Sequence, residues 1–226
     1  MTTIRRELVN AAVIRAHMLI DYNIYNDMHK QHGFKKQTVL VDNSLTDDEK
    51  TAAVKKLNEV YDLNKVISNE GIKRICENCN QECLATLYCE HCVRNYLKVN
   101  FSNWTSGNND IDKLIQKCQM ETFAPNMIIE WIPYINLQNV KYLTKGGFSE
   151  IYTASWIDGK YNEWDSKEQQ LTRIGAHKVV LKNLENVKSA NQRWFEEVCN
   201  LNLLVKFNNS FINNKIFKFF CRLNHI

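Results

Sequence analysis

Lys145-Gly146-Gly147-Phe148-Ser149-Glu150-Ile151-Tyr152 is the stretch on which the reading of the carboxyl-terminal half turns. Val140-Lys141-Tyr142-Leu143 precedes it, and Glu150-Ile151-Tyr152-Thr153 closes it. Both are rich in β-branched and aromatic residues, so the glycine pair reads as a turn between two strands. A glycine pair alone is equally an ordinary hairpin turn, and the order of the downstream elements adds the weight. Lys178-Val179-Val180-Leu181 reads as a third strand, with Lys182 at its end, and residues 189 to 200 read as a helix containing Trp194-Phe195-Glu196-Glu197-Val198. Trp194, Val198 and Leu201 mark the packed face of that helix. Glu197 lies beside this face, and Glu196 is the alternative, because neighbouring helical positions differ by about 100°. An antiparallel meander of three strands is expected. The long link from Ser155 to Ala176 is expected to contain a helical turn around Lys167 to Leu171.

A glycine loop with an aromatic residue at its tip, a β-branched residue where the next strand begins, a strand-borne lysine and a helical glutamate resemble the upper lobe of a protein kinase. The resemblance covers residues of about 138 to 200. The wider stretch from Ile75 to Val198 includes Phe101-Ser102-Asn103-Trp104-Thr105-Ser106-Gly107-Asn108 and Glu130-Trp131-Ile132-Pro133. It is similar to a fungal group of kinases, serine/threonine or tyrosine-kinase-like, that carry a cysteine-rich segment before the kinase domain. The resemblance implies that Gly146, Gly147, Phe148 and Ser149 approach the phosphates of ATP, that Lys182 supplies them a fixed charge, and that Glu197 holds the lysine in place. A lysine on the solvent face of a strand is the plainer alternative for Lys182. Thr144 and Ser149 stand where the family places its first and third loop glycines, which implies weak ATP binding at most. Neither a His-Arg-Asp loop nor Asp-Phe-Gly occurs in the 226 residues. The resemblance therefore implies a truncated lobe with no catalytic residue of its own, whereas full-length relatives would phosphorylate protein Ser/Thr or Tyr.

Cys76-x2-Cys79 and Cys89-x2-Cys92 are separated by nine residues. Two intervening residues let both sulfurs of a pair face one ion at about 2.3 Å, so the four together suit tetrahedral zinc. Buried unliganded cysteines and a redox dithiol are the alternatives. Cys83 and His91 lie in the same window, and either can replace one of the four. The second pair opens a helix starting near Val93, whose positive end favours thiolates. A small treble-clef or zinc-ribbon module is the expectation, with the metal supplying folding energy that so short a segment lacks.

Thr46-Asp47-Asp48-Glu49 is a capping box that announces a helix with an apolar face of Ala53, Leu57, Val60, Tyr61, Asn64 and Ile67, ended by Gly71. Before it, Val9, Val13, Ala16, Ile20, Ile24 and Met28 recur at helical spacing, so residues 4 to 32 read as one helix stopped by Gly33, and the two as a hairpin. A further helix is expected over about Asp110 to Gln119. Both prolines of the chain, Pro125 and Pro133, mark a connecting arm. The fold class is thus α+β. It comprises a helical hairpin over 1–72, a cysteine-rich module over 73–120, a linker arm over 121–137 and an incomplete kinase-type N-lobe over 138–226.

The formal net charge is +4, and the segment from Val198 to Ile226 supplies it with Lys206, Lys215, Lys218 and Arg222 and no acid, which makes a poor nucleic-acid footprint. No stretch approaches the roughly 18 apolar residues of a membrane span. The expected cofactors are zinc and weakly held ATP. The expected partner is a protein, met by the helical hairpin or the exposed N-lobe surface, and the expected compartment is the cytoplasm, with the nucleus compatible. The competing reading is a zinc-dependent protein-interaction module whose kinase lobe is vestigial.

Overall fold

The computed structural model describes residues 3–146 and 149–184. Their fold is α+β, and the chain divides into two compact units, Met1–Val93 and Arg94–Ile226.

In the first unit, helices α1 (Arg6–Met18), α2 (Met28–Leu40) and α3 (Asp47–Ser68) pack on one another. Val9, Ala12 and Ala16 of α1, Val39 of α2, and Ala53 and Leu57 of α3 form their core, with Leu45 from the preceding loop. The amino-terminal segment is therefore two helices, not one through residue 32, and the expected hairpin is a three-helix unit. The reason is local. The Asp21 carboxylate accepts from Asn23 N at 2.8 Å, and Asp27 caps α2 by accepting from His29 N and Lys30 N at 2.9 and 2.8 Å. Such short polar side chains offer the backbone an alternative to continued helix. Gly33 lies inside α2, a tolerated helical glycine instead of a stop. The capping box of α3 forms as read, Thr46 N donating to Glu49 Oε2 at 2.9 Å and Glu49 N to Thr46 Oγ1 at 3.3 Å. Arg5 adds a fork onto the same carboxylate, Nε to Oε1 at 2.8 Å and Nη2 to Oε2 at 2.7 Å. The helix ends at Ser68 with Asn69 in the left-handed region (φ 53°), just ahead of Gly71.

Strands β1 (Arg74–Ile75) and β2 (Glu82–Cys83) form a two-residue antiparallel ladder that carries the cysteine turn, and helix α4 (Glu90–Val99) follows. In the second unit, α5 (Asn109–Met120) is capped by Asn108, whose side chain accepts from Asp110 N and Ile111 N. Strands β3 (Leu137–Gly146), β4 (Ser149–Trp156) and β7 (His177–Leu184) make a three-stranded antiparallel sheet in the order β3-β4-β7. Ile132, Leu137, Ala154, Trp156, Val179 and Leu181 form its core.

Between β4 and β7 runs a second antiparallel pair, β5 (Tyr161–Asp165) and β6 (Gln170–Arg173). Its turn occupies the place where a helical turn was expected. The Asp165 carboxylate accepts from Lys167 N and Glu168 N, and Gln169 takes a positive φ of 52°, so the segment reverses as a tight turn. Gly159, at φ +67°, enters this hairpin where a Cβ would overlap the backbone of Gly175, so a side chain there requires the backbone to shift.

Candidate metal centre and glycine hairpin

Four sulfurs converge in the first unit. Cys76 and Cys79 flank one tight turn, in which Asn80 N donates to Cys76 O at 2.9 Å, and Asn80 adopts φ 53°. Asparagine tolerates that left-handed conformation better than most residues. Cys89 immediately precedes α4 and Cys92 lies in its first turn. Cys76 Sγ is 3.7 Å from Cys92 Sγ, Cys79 Sγ is 3.6 Å from Cys89 Sγ, and all four sulfurs lie within 4.8 Å of one another. A tetrahedron with metal–sulfur bonds of about 2.3 Å has edges of about 3.8 Å, so the four cysteines can hold a metal ion such as zinc. Cys83 is buried, and its sulfur joins Cys89 and Glu90 in a second, overlapping group. His91 is exposed and belongs to neither group.

The thiols do not share one acidity. Burial raises Cys76, but the amides of Cys79 and Asn78 and the neighbouring thiols outweigh it and bring the group down to about 6. Burial pushes Cys89 up, and lifts Cys92 to about 11 although Asn78 Nδ2 reaches its sulfur at 3.5 Å. Burial likewise raises Cys83.

The loop of residues 84–88, which leads from β2 into the second cysteine pair, is held from three elements by charged side chains. From α3, Asp62 accepts from Thr86 N at 2.8 Å, Thr86 Oγ1 at 2.9 Å and Leu87 N at 2.8 Å, while Lys65 Nζ donates to Leu84 O at 2.6 Å and pairs with Asp62 at 2.9 Å. From β1, Arg74 donates to Ala85 O and Tyr88 O, both at 2.8 Å. From the first turn of α4, Glu90 Oε1 accepts from Leu84 N and Ala85 N at 2.9 and 3.0 Å. Asp62 is 0% and Lys65 3% exposed, so the loop is fixed by charges taken wholly out of water. Reading by type and spacing missed these residues. The one available signal was an acid and a lysine three apart in the helix preceding the cysteines.

At the glycine hairpin, Gly146 pairs with Ser149, and Lys145 with Glu150. Across the β4–β7 ladder, the backbone of Lys182 pairs with Ile151, so the lysine stands on the strand next to β4, close in register to the turn. Gly147, Phe148 and Glu197 lie outside the described residues. Among the described residues, no helix is long and apolar enough to cross a membrane.

Comparison with known proteins finds no family model, no curated protein and no solved structure that matches this chain.

Proposed function

We propose that this chain is protein-kinase-like and binds ATP, and that it also contains a unit folded around one structural zinc ion. The observation that carries the nucleotide reading is the register that sets Lys182 opposite Ile151 beside a glycine hairpin. In that arrangement backbone amides of the turn approach the phosphates, and a lysine from the adjacent strand supplies fixed positive charge. Gly146, Gly147, Phe148, Ser149 and Lys182 are the proposed contacts, and Glu197 the residue that orients the lysine. This chain contains no His-Arg-Asp and no Asp-Phe-Gly, the residues that organise magnesium and accept the hydroxyl proton in kinases. Binding without phosphoryl transfer is therefore the expected behaviour of the chain by itself.

The zinc ion is assigned a structural role, because four protein ligands leave no open position for substrate. A second reading, a zinc-dependent module for protein interaction, draws its support from the clamped 84–88 loop, which would make a rigid recognition surface. ATP separates the two. In the nucleotide reading, ATP with magnesium raises the melting temperature and Lys182→Met abolishes the effect. A wild-type melt that ATP leaves unmoved would overturn it and favour the interaction module.

A further inference from the structure

The second unit contains a cavity of about 210 Å³ that neither the cysteines nor the glycine hairpin uses. It is smaller than the pockets that take drug-sized ligands, and suits a single ring. Three of the five tryptophans of the chain, Trp104, Trp131 and Trp156, line it.

The charge of the lining narrows the ligand. Among the described residues that line it Arg173 is the only cation, and it is already engaged. Its Nη2 donates to Glu130 Oε2 at 2.6 Å, its Nη1 to Gly159 O at 2.5 Å, and its guanidinium lies 3.9 Å from the Tyr161 ring centroid. An anion would meet the Glu130 and Asp158 carboxylates with no uncommitted cation to offset them. A cationic ligand would compete with Arg173 for the Tyr161 face.

The lining offers acceptors, together with the second N–H that each of its amides keeps. Asn136 Nδ2 donates to Asp158 Oδ2 at 2.7 Å, and Asn103 Nδ2 to Asn100 Oδ1 at 2.7 Å. Each amide has spent a donor, and the acceptor oxygens Asn136 Oδ1, Asn103 Oδ1 and Asp158 Oδ1 meet no donor among the described residues. Gln119, 3% exposed, also lines the cavity. Its Nε2 donates to Ile129 O at 2.8 Å, while its Oε1 finds no partner among the described residues. Buried polar groups are nearly always satisfied, and Gln119 Oε1 is the buried one of this set, while Asn103 and Asp158 stand exposed at the rim and Asn136 is half-buried. A joint that only braced the 130–136 segment would close over the Gln119 oxygen and leave no ring-sized space.

A neutral, compact ligand that donates hydrogen bonds from its rim and presents apolar faces to indole rings meets all these conditions. We propose that this cavity binds one pyranose ring of a neutral sugar, with indole faces against its C–H groups and Asn103, Asn136 and Asp158 accepting from its hydroxyls. The proposal is independent of the nucleotide reading.

The test is titration of the full, zinc-loaded chain, followed by tryptophan fluorescence and calorimetry. The probes are the methyl pyranosides of glucose, galactose and mannose, together with N-acetylglucosamine, adenosine, choline and inorganic phosphate. At least one pyranose should bind saturably. Asp158→Ala and Asn103→Ala, both at exposed positions, should each weaken that sugar about tenfold, the loss of one good hydrogen bond, with unchanged melting temperatures. Lys182→Met should leave the sugar titration unmoved. Failure of every pyranose to bind, tighter binding of adenosine, choline or phosphate, or sugar affinities untouched by both substitutions would each overturn the proposal.

Discussion

Replacing Asp62 by alanine tests whether the cysteine unit is held by α3 or stands on its metal alone. The substitution removes the acceptor of three hydrogen bonds from Thr86 and Leu87, at 2.8 to 2.9 Å, and the partner of Lys65 at 2.9 Å. It leaves Lys65, 3% exposed, with the Leu84 carbonyl and the Tyr61 ring, whose centroid is 4.7 Å from Nζ. Breaking a buried pair by removing one member typically costs about 3–5 kcal/mol, because the remaining charge is uncompensated. For a unit of this size, that is a fall in melting temperature of about 12 °C or more. Thermal denaturation followed by circular dichroism in the presence of zinc reads the stability, and the rate of zinc transfer to a chelator reads the grip of the 84–88 loop on the second cysteine pair. Both should deteriorate in Asp62→Ala. Asp62→Leu combined with Lys65→Met should recover part of the stability by removing the stranded charge, but not all of it, since the Thr86 and Leu87 amides stay unsatisfied. A loss under about 1 kcal/mol in Asp62→Ala, the size of one ordinary hydrogen bond, would refute the claim that this buried charge organises the loop. So would unchanged zinc release.

Elemental analysis should find about one zinc per chain, reduced to background in Cys79→Ser and Cys92→Ser; equal zinc in both variants would remove the assignment. Acid should destabilise the three-helix unit through two carboxylates. Hydrogen bonding from Arg5 and Thr46 holds Glu49 far below its ordinary range, and the Ser44 hydroxyl and Arg15 bring Asp42 to about 2. A depressed folded-state pKa contributes stability that is fully present above the unfolded value and lost as pH falls toward the folded one. Melting temperature should thus be level near neutrality and decline between the ordinary carboxylate range and about pH 2, with Arg5→Ala flattening the decline; an equally steep decline in that variant would contradict the assignment. Gly159→Ala should cost about 1–3 kcal/mol from its positive φ alone, before the overlap with Gly175, and a neutral effect on the melt would show that the hairpin relaxes there.

The features legible in the sequence are those fixed within a few residues along the chain. The Thr46–Glu49 capping box, the Cys-x2-Cys turns and the helix over residues 109–120 each depend on groups no more than four positions apart, and each forms where spacing places it. The strands around the glycine pair were found by composition, although β3, β4 and β7 extend beyond the expected cores because pairing with neighbours continues the ladder past the β-branched residues. The break between α1 and α2 was hidden because Ile20 and Ile24 keep the apolar period, while Asp21 and Asp27 redirect the backbone. Ile24 consequently ends 64% exposed, which shows that its match to the stripe was coincidental.

Long-range polar pairing was not legible, and it shapes both of the sites described. Asp62 meets Thr86 across 24 positions, Arg173 meets Glu130 across 43, and Arg5 meets Glu49 across 44. No periodicity encodes such partners, since a charged residue on a helix or strand normally reads as a solvated face. Their burial reverses that reading: taking Asp62 and Lys65 out of water costs far more than any local propensity can return, and is tolerable only where the hydrogen bonds are complete. In the cysteine unit Asp62 and Lys65 are paired with each other and hydrogen-bonded to the loop that leads to Cys89, although Glu90 Oε2 finds no partner among the described residues. In the tryptophan-lined cavity the cation is satisfied, but the buried Gln119 Oε1 finds no partner among the described residues. The two polar clusters look alike in sequence, and burial separates them: one holds a loop between paired charges taken out of water, the other lines a cavity for which we propose a neutral ligand.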